Sequence, residues 1–165
     1  MDRLKGEFHT IRQLLEGAER LAQRSGDAHP GAEHLLLSAL ALPDGTARRA
    51  FERLGADPDG LQPAIAAQHA DALRAVGIEL DAGEAVVPAP EARGVFLSTP
   101  SAQSAFRRAV ELSKHPKPRR LLGAHVVAAV AEIERGTVAR ALRRMGVDRA
   151  KLVAAAHDEL AVPAS

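Results

Sequence analysis

The segment GTARRAFERLGAD at residues 45–57 returns as GTVARALRRMGVD at residues 136–148, and this recurrence constrains the fold more than any other feature. At an ungapped offset of 91 residues, Gly45, Thr46, Arg49, Ala50, Arg53, Gly55, Asp57 and Leu61 fall on Gly136, Thr137, Arg140, Ala141, Arg144, Gly146, Asp148 and Leu152. These are chiefly the residue types that start helices, stop them or fill a core. Upstream, Ala18, Leu21 and His34 fall on Ala109, Leu112 and His125 in the same register. Two copies are fewer than an open solenoid usually needs to bury its faces. The expected fold is therefore all-α: two tandem four-helix repeats packed as one globule with pseudo-twofold symmetry.

Hydrophobic spacing supplies the helices of each copy. Ile11, Leu14, Leu15, Ala18, Leu21 and Ala22 recur at three- and four-residue steps, with Thr10 as the expected N-cap and Gly26 as the stop. GAEHLLLSALAL is apolar almost throughout and ends at Pro43-Asp44-Gly45, which reads as a central helix buried on most sides. Its charged residue, Glu33, stands in the first turn. A short third helix from Thr46 presents Ala47, Ala50, Phe51 and Leu54 on one face and ends at Gly55. Asp57-Pro58 restarts the chain, with Leu61, Ile65, Leu73 and Val76 as its apolar stripe and Pro63 delaying the helix proper. In the second copy Thr99 caps a helix with Pro100 in its first turn. The register makes Leu36, Phe51 and Leu54 core partners of Val127, Leu142 and Met145.

Repeat one is expected at about residues 8–76, a linker rich in proline and glycine at 77–98, and repeat two at about 99–160, together one domain over residues 1–165. That length suffices for a substantial core. A hydrophobic fraction of 46% and a net charge of +1 exclude a disordered chain and a strongly basic one. With no cysteine, disulfides, thiolate metal sites and cysteine nucleophiles are excluded. The charged N-terminus lacks the apolar stretch of a secretory signal, and no uncharged run approaches the roughly 18 residues of a membrane span. A cytoplasmic protein is the expectation.

Chemistry-bearing constellations are few. The seven histidines, at 9, 29, 34, 69, 115, 125 and 157, include no pair at the four-residue spacing that puts two ligands on one helical face. No metal or other cofactor is expected, and no nucleophile or acid–base pair points to an enzyme. His34 and His125 read as structural, holding loops through ring hydrogen bonds. KHPKPRR at 114–120 is the dense basic run, and the alternative reading of the chain is a helical nucleic-acid-binding or transcription-associated protein that uses it. Near-neutral charge and the lack of Trp and Tyr for base stacking weigh against that alternative.

The doubled pattern, EHLLLSAL followed by a unit of the form G-T/x-A-x-x-A-hydrophobic-x-x-L-G-x-D-x-x-x-L, resembles the N-terminal repeat domain of the Clp ATPases, over about residues 8 to 160. The resemblance implies a non-catalytic recognition domain for protein or peptide ligands. It would work with a Clp ATPase or its adaptors and modulate Clp-dependent proteolysis as adaptor, decoy or scavenger. No G-x-x-x-x-G-K-[ST] phosphate loop occurs in the sequence, so a stand-alone module that does not hydrolyse ATP by that route is expected. The resemblance to Clp C-type relatives also implies one site residue: Glu33, as the carboxylate of a phosphoarginine site serving arginine-phosphorylated proteins. The matching position of the second copy is Ala124, so any such binding should be confined to the first. This chain has Ala32 where the family commonly has threonine, and the second copy lacks the Glu-His pair.

Overall fold

The computed structural model describes residues 2–77, 98–115 and 118–162, and all regular structure in them is helical. Eight α-helices run α1 (Asp2–Arg24), α2 (Ala32–Leu40), α3 (Thr46–Glu52), α4 (Leu61–Ala75), α5 (Pro100–Lys114), α6 (Gly123–Ala131), α7 (Thr137–Arg144) and α8 (Arg149–Ala161). Helices α1–α4 form one copy and α5–α8 the other. Most of the linker expected at 77–98, and Pro116 and Lys117 of the basic run, lie outside the described residues.

The two apolar helices, α2 and α6, pack against each other at the centre. Every residue of α6 is buried, as the near-continuous apolar run GAHVVAAVA requires. Around this pair α1 lies on α2 and α5 on α6, repeating one relation in both copies. The fourth helices also reach the other copy: α4 packs chiefly on α7, while α8 packs chiefly on α6 of its own copy and also on α3. Close approach within the first copy rests on Gly17, where a Cβ would come within 2.3 Å of Ser38 Oγ. That hydroxyl donates to Leu14 O at 2.7 Å, so α2 is hydrogen-bonded into α1 as well as packed on it.

Start and stop signals hold at most expected positions. Gly26, Gly55 and Gly146 end their segments at φ 76°, 69° and 75°, a left-handed region open to glycine at little cost. Thr99 Oγ1 accepts from Ala102 N, and Pro100 opens α5. Asp148 likewise caps α8 through Lys151 N. Its counterpart Asp57 caps a single 3-10 turn, Pro58–Gly60, before α4 begins. The difference comes from the extra prolines: Pro63 takes a first-turn position of α4, where a missing N–H costs nothing.

Three local expectations are corrected. Thr10 is not an N-cap: α1 extends upstream to Asp2, and Thr10 Oγ1 donates to Gly6 O at 3.0 Å. A threonine that bonds back by one turn sits within a helix without ending it. Val76 is 69% exposed and leaves the stripe, because the buried side of α4 ends at Ile65. Leu54 and Met145 are only half-buried against the core, whereas Leu36, Phe51, Val127 and Leu142 are fully buried. Both half-buried residues stand at the end of a short third helix, where the core thins.

Candidate functional site

Helix α2 begins at a cleft of about 290 Å³ between the copies. Gly31, Ala32 and Glu33 form one wall, Thr99 and Ser101 at the start of α5 a second, and Arg135, Gly136, Thr137 and Arg140 a third. Pro30 O accepts from Thr99 N at 3.0 Å and ties the first two walls together. The starts of α2, α5 and α7 thus meet in one place. Helix N-termini favour anions, and two arginines reinforce that preference. Among the described residues no acceptor is bonded to the amides of Ala32 and Glu33.

Glu33, the residue expected to bind, lies in this cleft with its side chain 15% exposed. Its carboxylate folds back over Gly31, where a Cβ would lie 2.5 Å from Oε2, so glycine leaves the room it occupies. The first amide of the turn is held by His34: Gly31 N donates to His34 Nδ1 at 2.9 Å. With Nδ1 accepting, the neutral ring carries its proton on Nε2, which faces Asp27 Oδ2 at 3.2 Å. Burial lowers the pKa of His34, against the opposing pull of Glu33 and Asp27. Asp27, Glu33 and His34 bring oxygen and nitrogen atoms within 4.8 Å of one another. Nδ1 holds the loop before α2, whereas Nε2 and Asp27 Oδ2, though close, are buried without a hydrogen-bond partner among the described residues.

The second copy uses the same histidine device and otherwise differs. Leu122 N donates to His125 Nδ1 at 2.9 Å. The start of α6 is filled from the first copy: Gly123 N donates to Asp44 Oδ2 at 3.1 Å and Ala124 N to Thr46 Oγ1 at 2.8 Å. Thr46 Oγ1 in turn donates to Asp44 Oδ1. A carboxylate of the chain itself occupies the position an anionic ligand would take. Replacing Asp44 with alanine removes this cap and should lower stability by about 1–2 kcal/mol, read as a drop in the thermal midpoint.

Sequence reasoning finds Glu33 but not Arg135, Arg140, Asp44 or Thr46. The signal lies in the register, where Asp44 falls on Arg135, a reversal of charge inside an otherwise retained unit. At one helix start the position supplies a plug, and at the other it lines an open cleft with a cation. The basic run is partly turned inward, since Arg119 donates through its backbone to Ser113 O at 2.8 Å and through its guanidinium to Leu160 O at 2.5 Å. That ties one guanidinium of the run to the end of α8. Among the described residues no helix is long and apolar enough to cross a membrane.

Comparison with known proteins agrees with this architecture. The N-terminal domain of the caseinolytic protease associated chaperone ClpD from Arabidopsis thaliana superimposes with a TM-score of 0.58 at 19% identity, over 90% of this chain and 92% of that one. No curated protein matches the chain. The family model for the Clp repeat (R) N-terminal domain matches residues 9–96, more than half of the sequence, including α2 with its Glu33-His34 start. With the fold extending the same unit through a second copy, the chain belongs to the Clp repeat (R) N-terminal domain family.

Proposed function

We propose that this chain is a non-catalytic recognition module for protein or peptide ligands, one that modulates Clp-dependent proteolysis as adaptor, decoy or scavenger. Its partners would be a Clp ATPase or its adaptors together with arginine-phosphorylated proteins. The observation that carries the reading is the contrast between the two central helix starts. That of α2 opens into a cleft with Arg135 and Arg140 opposite, and that of α6 is filled by Asp44 and Thr46.

A phosphorylated arginine side chain suits the open start by its charges. The phosphoryl oxygens would accept from the amides of Ala32 and Glu33 and from Arg135. The ligand's guanidinium group would pair with the Glu33 carboxylate in a planar, two-point contact. Glu33 must swing away from Gly31 to make that pair, which costs little because it forms no hydrogen bond to another side chain among the described residues.

Calorimetric titration of the chain with free phosphoarginine should give a stoichiometry near one. Glu33→Ala should abolish the heat and leave thermal stability nearly unchanged, and Arg135→Ala should weaken binding at least about tenfold. Two equivalent sites, or undiminished binding by Glu33→Ala, would overturn the assignment.

A further inference from the structure

Between α1 and the end of α2 lies a slot of about 350 Å³, at the opposite end of α2 from the cleft described above. We propose that it docks an acidic segment of a protein partner, with a glutamate or aspartate side chain entering the slot to meet Arg20 and Arg24. This assignment is independent of the phosphoarginine reading of the cleft.

The second copy shows what fills the equivalent place. There Arg108 reaches from α5 to Glu132 at the end of α6, with Nε donating to Oε2 at 3.0 Å and Nη2 to Oε1 at 3.3 Å. Glu111, one turn along α5, adds a contact to Nη1 at 3.3 Å. The ungapped register puts Gly17 where Arg108 stands, Ala41 where Glu132 stands and Arg20 where Glu111 stands. The first copy therefore lacks both members of the ion pair and has an open slot in their place. Position 17 has no room to refill it, since a Cβ there would come within 2.3 Å of Ser38 Oγ. In the second copy Ala129 replaces that serine.

The same replacements decide the charge of the occupant. In the second copy two carboxylates surround one guanidinium. In the first the lining holds two guanidinium groups, those of Arg20 and Arg24, and no carboxylate. Arg20 Nη2 lies 3.9 Å from where a Cβ on Gly17 would stand, which places this cation over the vacated position. Neither arginine forms an ion pair among the described residues. A partner's arginine, the side chain that fills the second slot, would meet like charge, whereas a carboxylate gains two-point contacts with a guanidinium fork. Leu21, Leu42 and Pro43 add apolar surface. That lining favours a carboxylate on a peptide over the phosphates of a nucleic acid, which bring charge without an apolar stem.

Binding is tested on the full chain with the peptide acetyl-Leu-Glu-Glu-Leu-amide and its glutamine analogue, acetyl-Leu-Gln-Gln-Leu-amide. In a heteronuclear NMR titration at about pH 7, the acidic peptide should bind with a Kd of roughly 0.1–1 mM. It should shift the backbone amides of Gly17, Ser38 and Leu42. The glutamine analogue should bind at least about tenfold more weakly, and Arg20→Gln should weaken the acidic peptide by a similar factor. Ala41→Glu returns to the first copy the carboxylate that Glu132 supplies in the second. At this exposed position it should leave circular dichroism unchanged and weaken the peptide at least about tenfold by pairing with the arginines itself. Glu33→Ala should bind the peptide as the parent chain does, and tetrathymidylate should leave the three amides unshifted. Failure of the acidic peptide to bind, equal binding of the two peptides, full binding by Ala41→Glu, loss of binding in Glu33→Ala, or shifts of these amides by tetrathymidylate would each overturn the proposal.

Discussion

Truncating Phe51 to alanine is expected to lower the stability of the fold by about 3–5 kcal/mol, and truncating its repeat partner Leu142 by about 2–5 kcal/mol. Both side chains are completely buried, each on a short third helix that receives the fourth helix of the other copy. The cavity left by either substitution lies where the two copies join and is walled by rigid helices, so collapse around it is limited. Such a loss is a large part of the roughly 5–15 kcal/mol that holds a domain of this size together. Urea unfolding of the two variants measures it directly. Losses below about 1 kcal/mol at both positions would contradict the core described here.

The second large effect is acid lability. Burial drives His125 down from 6.5 to about 4, with Arg119 pushing the same way and Asp44 opposing. Burial also lowers His34, against Glu33 and Asp27. The unfolded chain takes up protons at these rings that the folded chain refuses. Their contribution is therefore intact above the unfolded value near 6.5 and declines as pH falls toward the folded value. For His125 alone the difference corresponds to about 3 kcal/mol.

Glu159 acts with the same sign at lower pH. Burial by itself would raise its carboxyl, but hydrogen bonds from Arg49 and Arg53 hold it below the ordinary value. The stability it supplies is present above the unfolded carboxylate value and is lost as pH falls through the folded one. Urea midpoints measured from neutral pH to about pH 4 should fall continuously, and a flat profile would contradict the neutral, buried state of both histidines.

What was legible in the sequence followed from local physics. Helix starts at Thr99 and Asp148, stops at Gly55 and Gly146, and the apolar runs of α2 and α6 are each written within a few residues. The family resemblance and the all-α, two-copy architecture rest on them. Glu33 was legible as a first-turn carboxylate for the same reason. The packing of α4 and α8 on the other copy was not, because an apolar stripe shows that a face is buried without naming what covers it. The capping of α6 by Asp44 spans 79 residues in sequence, beyond the reach of any periodicity. Thr10 misled because its hydroxyl has two uses: it can accept from an amide at a helix start or donate back within one, and only the surrounding chain decides.

The contact of each fourth helix with the third helix of the other copy changes what counts as a unit. Neither set of four helices owns a complete interior, since the inward faces of α3 and α4 are covered by α8 and α7 of the other set. One set made by itself would have to borrow those covers from a second molecule, as a swapped dimer whose survival depends on dilution. Carrying both sets on one chain makes the borrowing intramolecular, at a local concentration set by the tether and not by the solution. The tandem chain is in this sense a dimer that cannot dissociate. Its two halves are free to diverge at Asp44 and Arg135, because they are never exchanged for identical copies of each other.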